Sequence, residues 1–171
     1  SVAVAQAKTG DFQGAVATAS LIGKGIDAPS IHVFKPAPFI AIGLAQAKLG
    51  NQEKAKENFD EAIRLTRRLG PWIGEDGSPP KARLLQEIAA AQAEAGMIAS
   101  AIRTADLIED DQVQKSLALS KIGDAQVLVN DRPAAVESFR KALKLVEPDP
   151  NAHTVDAGSL RLQAVYDAAR G

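Results

Sequence analysis

One six-residue string recurs along this chain and limits what it can fold into. Ala-Gln-Ala-Lys-Thr-Gly occupies residues 5–10, Ala-Gln-Ala-Lys-Leu-Gly residues 45–50 and Ala-Gln-Ala-Glu-Ala-Gly residues 91–96, and a weaker copy, Ala-Gln-Val-Leu-Val-Asn, lies at 125–130. The copies are 40, 46 and 34 residues apart, the spacing of stacked repeat architectures. Their flanks keep step. Eight residues before each turn residue stand Val2, Ile42, Ile88 and Ile122, and seven before it the small residues Ala3, Gly43, Ala89 and Gly123. Five after it comes alanine every time (Ala15, Ala55, Ala101, Ala135), and nine after it Ala19, Phe59, Ala105 and Phe139. Small residues at fixed places are what close helix packing demands, because backbones approach only where no large side chain intervenes.

Each copy reads as two helices. In the third, Leu84, Leu85, Ile88, Ala89 and Gln92 share one helical face before Gly96, a residue suited to the left-handed conformation that ends a helix. A second helix then carries Ala101, Ile102, Ala105 and Ile108. The turns Gly10-Asp11, Gly50-Asn51 and Asn130-Asp131 place Asp or Asn where a side chain can cap the following helix by accepting from its free amides. Pro133 suits the first turn of a helix, where it loses no hydrogen bond.

Residues 39–69 resemble a tetratricopeptide repeat through Phe39, Ile42, Gly43, Gly50, Ala55, Phe59 and Ala62. Residues 119–148 do so through Leu119, Ile122, Gly123, Ala135, Phe139, Ala142 and Pro148. The chain departs from that family in carrying Gln6, Gln46, Gln92 and Gln126 where tyrosine is common, and in its long connections, so it resembles a divergent relative, bacterial in its alanine-rich look. The resemblance implies an all-α, right-handed α-solenoid of about four helix–turn–helix repeats: a partial one at 1–38, then 39–80, 81–115 and 116–150. A terminal helix is expected at 158–170. Residues 1–9 supply only the back half of a first helix, so the chain is expected to be a fragment of a longer protein.

Composition agrees and narrows the function. Hydrophobic residues make up 46% and aromatics 4%, so the core is built from Ala, Leu, Ile and Val. With 20 basic and 21 acidic residues, no overall positive field recruits nucleic acid. Absence of cysteine removes disulfides, thiolate nucleophiles and Cys-based zinc sites, and no stretch reaches the ~18 apolar residues of a membrane span. The two histidines, His32 and His153, lie in loops about three repeats apart, more than about 20 Å at ordinary helix spacing. No phosphate loop, dinucleotide fingerprint or His-Glu-x-x-His zinc motif occurs. Neither catalysis nor a cofactor or metal is expected.

What remains is binding of a protein or peptide. The resemblance implies a ligand on the concave face of the first helices, which here presents Lys8, Lys48, Arg83, Gln86, Glu94, Ser120, Lys121 and Asp124. Their signs are mixed, without the Lys/Asn/Arg clamp by which some relatives hold a C-terminal carboxylate. Taken singly, each charge reads first as a solvated surface position. The glutamine row shares the apolar stripe, so its amides need partners, expected along the array or on facing backbone; lining a peptide groove is the alternative. Phe34 and Trp72, in the long connections 23–38 and 70–80, suit loop contacts or cover the end of a helix pair. Self-association, or a spacer role in a larger protein, is the competing function.

Overall fold

The computed structural model describes residues 2–22, 34–69 and 80–147. Among them the chain forms eight helices and no strand: α1 (Val2–Lys8), α2 (Phe12–Leu21), α3 (Pro36–Lys48), α4 (Gln52–Arg67), α5 (Pro80–Glu94), α6 (Ile98–Asp106), α7 (Gln112–Leu128) and α8 (Arg132–Val146). The helix expected at 158–170, both histidines and Trp72 lie outside the described residues. The odd-numbered helices carry the recurring string and stack in order, α1 on α3, α3 on α5, α5 on α7. Each even-numbered helix packs on the helix before it, and α2, α4 and α6 also on the one after. Contacts that run from copy to neighbouring copy make a helical-repeat solenoid.

Every string ends in the same hydrogen-bonded turn. Gly10, Gly50, Gly96 and Asn130 have φ of +87°, +80°, +75° and +61°. Their amides donate to the carbonyl three residues back, and the next residue's amide donates to the glutamine carbonyl five back, at 2.8–3.0 Å. Two carbonyls that the ending helix would orphan are thereby satisfied. Asparagine is among the few residues besides glycine that visit this conformation readily, which is why the weaker fourth copy keeps its turn. Asp11 and Asp131 cap the helices that follow, accepting from Gly14 N (2.9 Å) and Ala134 N (3.2 Å). Asp111 does the same for α7 through Gln114 N at 2.9 Å. Asn51 does not cap. Its Nδ2 donates instead to Gln46 Oε1 at 2.9 Å, something an amide can do and a carboxylate cannot.

Among the described residues, each glutamine side-chain oxygen is spent inside its own copy rather than along the array. Gln6, Gln92 and Gln126 accept from Thr18, Thr104 and Ser138, hydroxyls twelve residues downstream on the paired helix, at 2.8, 2.7 and 2.7 Å. The second copy has Asn58 at that place, bonded to the Lys54 carbonyl, so Gln46 turns to Asn51. A polar rung thus clips the two helices of the first, third and fourth pairs, and no buried side-chain polar atom among the described residues is left without a partner.

Close approach sits one turn away. A Cβ added to Gly43 would lie 3.0 Å from the Phe59 ring, and one on Gly123 2.6 Å from that of Phe139. The first and third copies put alanine at both places, Ala3 with Ala19 and Ala89 with Ala105, all buried. Glycine therefore goes with phenylalanine and alanine with alanine, two ways of filling one gap to close-packed density. The isoleucine eight before the turn reaches backwards: Ile42 packs with Ala7 and Ala15, and Ile88 with Ala55, Phe59 and Ala62 of the preceding copy.

Two expectations fail locally. Ile102, expected on the packed stripe of α6, is exposed, and Thr104 is buried in its stead, because the clip to Gln92 turns the hydroxyl inward. The connection expected to run to residue 38 ends sooner: Pro36 and Pro38 are buried in the first turn of α3, where amides have no intrahelical partner and proline costs nothing.

Gly43→Ala should cost about 1–3 kcal/mol by overpacking, and Phe59→Ala about 3–5 kcal/mol by opening a cavity. The double variant recreates the alanine pair of the first and third copies, so its loss in urea unfolding should fall well short of the sum; strict additivity would contradict the pairing. Likewise Gln92→Leu should cost about 1–3 kcal/mol by stranding the Thr104 hydroxyl. Adding Thr104→Val should return most of it.

Candidate functional site

Helices α5 and α7 lie side by side as the first helices of consecutive copies, and an open groove of about 460 Å³ runs between them. Residues at helical spacing supply its walls: Gln86, Glu87 and Glu94 from α5, Lys121, Asp124 and Leu128 from α7. Its floor is Ala90, Ala91 and Ala125. The groove exists because the floor is alanine; longer side chains at those places would fill it. Leu128 stands at the rim with 87% of its surface exposed.

Charges around the groove are arranged in pairs. Lys48 Nζ reaches across from α3 to Glu94 at 2.8 Å, joining the second copy to the third. Lys121 lies 3.5 Å from Asp124 and Arg83 4.0 Å from Glu87, each on its own helix. Pairs this exposed contribute about 0–1 kcal/mol each, so their consequence is the charge pattern offered to a partner. Glu87 differs from the rest. Burial against the groove pushes its carboxyl above the usual carboxylate value, and Arg83 pulls the other way with less effect.

Of the eight residues expected on the inner face, Gln86, Glu94, Lys121 and Asp124 line this groove. Lys48 and Arg83 touch it through Glu94 and Glu87. Ser120, half-buried on α7, and Lys8, exposed at the end of α1, are not among its lining residues. Phe34 is exposed in the turn that leads into α3. The sequence reading missed Glu87, the alanine floor and Leu128. A signal for Leu128 was present, since it holds the same place in its copy as Lys8, Lys48 and Glu94. A second groove, of about 430 Å³, lies among α2, α3 and α4 on Phe12, Val16, Ala17 and Ile42 and holds none of the expected residues. Among the described residues no three His, Asp or Glu side chains gather as a metal site, and no helix is long and apolar enough to cross a membrane.

Comparison with known proteins bears on these helices directly. Residues 39–68, which span α3 and α4, match the model of the tetratricopeptide repeat. No curated protein and no solved structure matches the chain. The matched pair is therefore a tetratricopeptide repeat, and the other three described pairs are built like it, on the same turn and the same nearest-neighbour stacking.

Proposed function

We propose that this chain is a binding scaffold, not an enzyme, and that a segment of a partner protein lies on the inner face made by α3, α5 and α7. Tetratricopeptide repeats generally mediate protein–protein interactions. The observation that carries the finer reading is the α5–α7 groove: an apolar floor between two braced helices, rimmed by charges of both signs. An apolar floor gives a ligand area to bury, and paired charges at a rim set register and partner choice more than affinity. Helices fixed from behind by their own copy do not need to reorganise when a segment docks, which keeps the cost of binding low.

Self-association is the second reading, favoured by Val136 and Leu143, apolar and exposed on α8. Sedimentation at rising concentration checks it: a strictly monomeric species would remove it.

Affinity capture with the purified chain, beside a Lys48→Glu/Arg83→Glu/Lys121→Glu variant, tests the main reading. A partner identified by mass spectrometry should be lost with the variant. A partner retained at full recovery would move the site away from the inner face, towards Phe34, Trp72 and the connections that carry them.

A further inference from the structure

We infer that the α5–α7 groove selects a partner segment bearing a lysine or arginine, seated against Glu87, with a small apolar side chain beside it on the alanine floor. This rests on the reading that the groove is the binding surface.

The charges lining the groove are unequal: Glu87, Glu94 and Asp124 against Lys121 alone. Two of the three carboxylates are closely answered within the chain, Glu94 by Lys48 at 2.8 Å and Asp124 by Lys121 at 3.5 Å. Glu87 has only Arg83, one turn along the same helix and 4.0 Å away. Its side chain keeps 47% of its surface exposed, and its partial burial beside the groove, opposed only by the more distant Arg83, raises its carboxyl. A bound segment excludes more water from the groove. If that segment is acidic or uncharged, Glu87 is desolvated further with nothing to offset it, a cost that counts against such partners. If it brings an ammonium or guanidinium to Glu87, a charge-assisted hydrogen bond replaces the lost water. The floor sets the neighbouring residue. Ala90, Ala91 and Ala125 leave a shallow apolar bed, and Leu128 at the rim closes over an aliphatic side chain placed there.

Selection of a phage-displayed random peptide library on the intact chain tests this. Enriched peptides should share a Lys or Arg next to an aliphatic residue. The affinity of a synthetic representative should fall about fivefold with Glu87→Gln, the upper end for an exposed ion pair, and further with Glu87→Lys. Two variants report on the groove without changing its charge: Ala90→Phe, which fills it, and Leu128→Ser, at a side chain exposed enough that folding is not at stake. Peptides weakened by these two but indifferent to Glu87→Lys would leave the groove as the binding surface and overturn the basic selectivity. Peptides indifferent to all the variants would overturn both, and so would a library that yields no enriched sequence. Enrichment of acidic motifs would overturn the selectivity alone.

Discussion

Where Phe59 lies against Gly43, the two helices of one copy come as near as a ring and a backbone allow, and the rest of the stack is placed by contacts of this kind. The ring is fully buried, so it cannot yield to an added methyl group without disturbing its neighbours. The third copy reaches the same closure with Ala89 and Ala105. What is held constant is the filled volume at the crossing, with the residues free to trade size between the two helices. One turn further along, the glutamine–hydroxyl clip adds direction to the contact, since a hydrogen bond between Gln92 and Thr104 at 2.7 Å admits little rotation of either helix about its axis. Volume sets the distance and the clip sets the angle.

These contacts decide which surfaces are left for function. Ile88 anchors α5 backwards into the second copy, among Ala55, Phe59 and Ala62. Leu85, Ala89 and Ala93 hold it to the core shared with α6, α7 and α8. With those faces occupied, the side of α5 carrying Gln86, Ala90 and Glu94 turns outward toward α7. The groove is therefore a product of stacking: no single copy contains it, and its width follows from how two consecutive first helices cross. Lys48 and Glu94 bridge the preceding crossing in the same row, so the inner face is continuous across copies although each copy packs only on its neighbours.

Element type and order were legible from the recurring string, because the turn residue, the small residues and the isoleucine are imposed by backbone geometry and close packing, which act at fixed offsets. The clip was half legible. Its glutamines stood out on an apolar stripe, but Thr18, Thr104 and Ser138 read as ordinary polar positions of amphipathic helices, and Asn58 in the second copy broke the pattern. Ile102 was misplaced for the same reason, since hydropathy alone prefers isoleucine to threonine inside. At the candidate site, Gln86, Glu94, Lys121 and Asp124 could be assigned to one face from helical spacing. The Lys48–Glu94 pair could not, because its partners are separated by a long connection and meet only through the stacking of α3 on α5. Alanine at the groove floor carries no chemical signal at all; only the space it leaves identifies it.

The contrast between core and inner face bears on the choice between scaffold and spacer. Copy by copy, the buried places vary within tight limits: isoleucine in the last three copies, alanine or glycine, then alanine. The place two residues before the turn varies freely, as Lys8, Lys48, Glu94 and Leu128, reversing charge and then losing it. A spacer has no use for that gradient, since any solvated side chain serves it equally. A bound segment does, because an extended or helical ligand presents different side chains to successive copies and needs a different answer from each. The gradient ends at Leu128, an aliphatic side chain almost fully exposed at the rim of a groove with an alanine floor. An exposed leucine by itself is ordinary. Set at the end of a charged row and beside Glu87, whose nearest cation is 4.0 Å away, it supports the proposal that the groove is the contact part of the inner face.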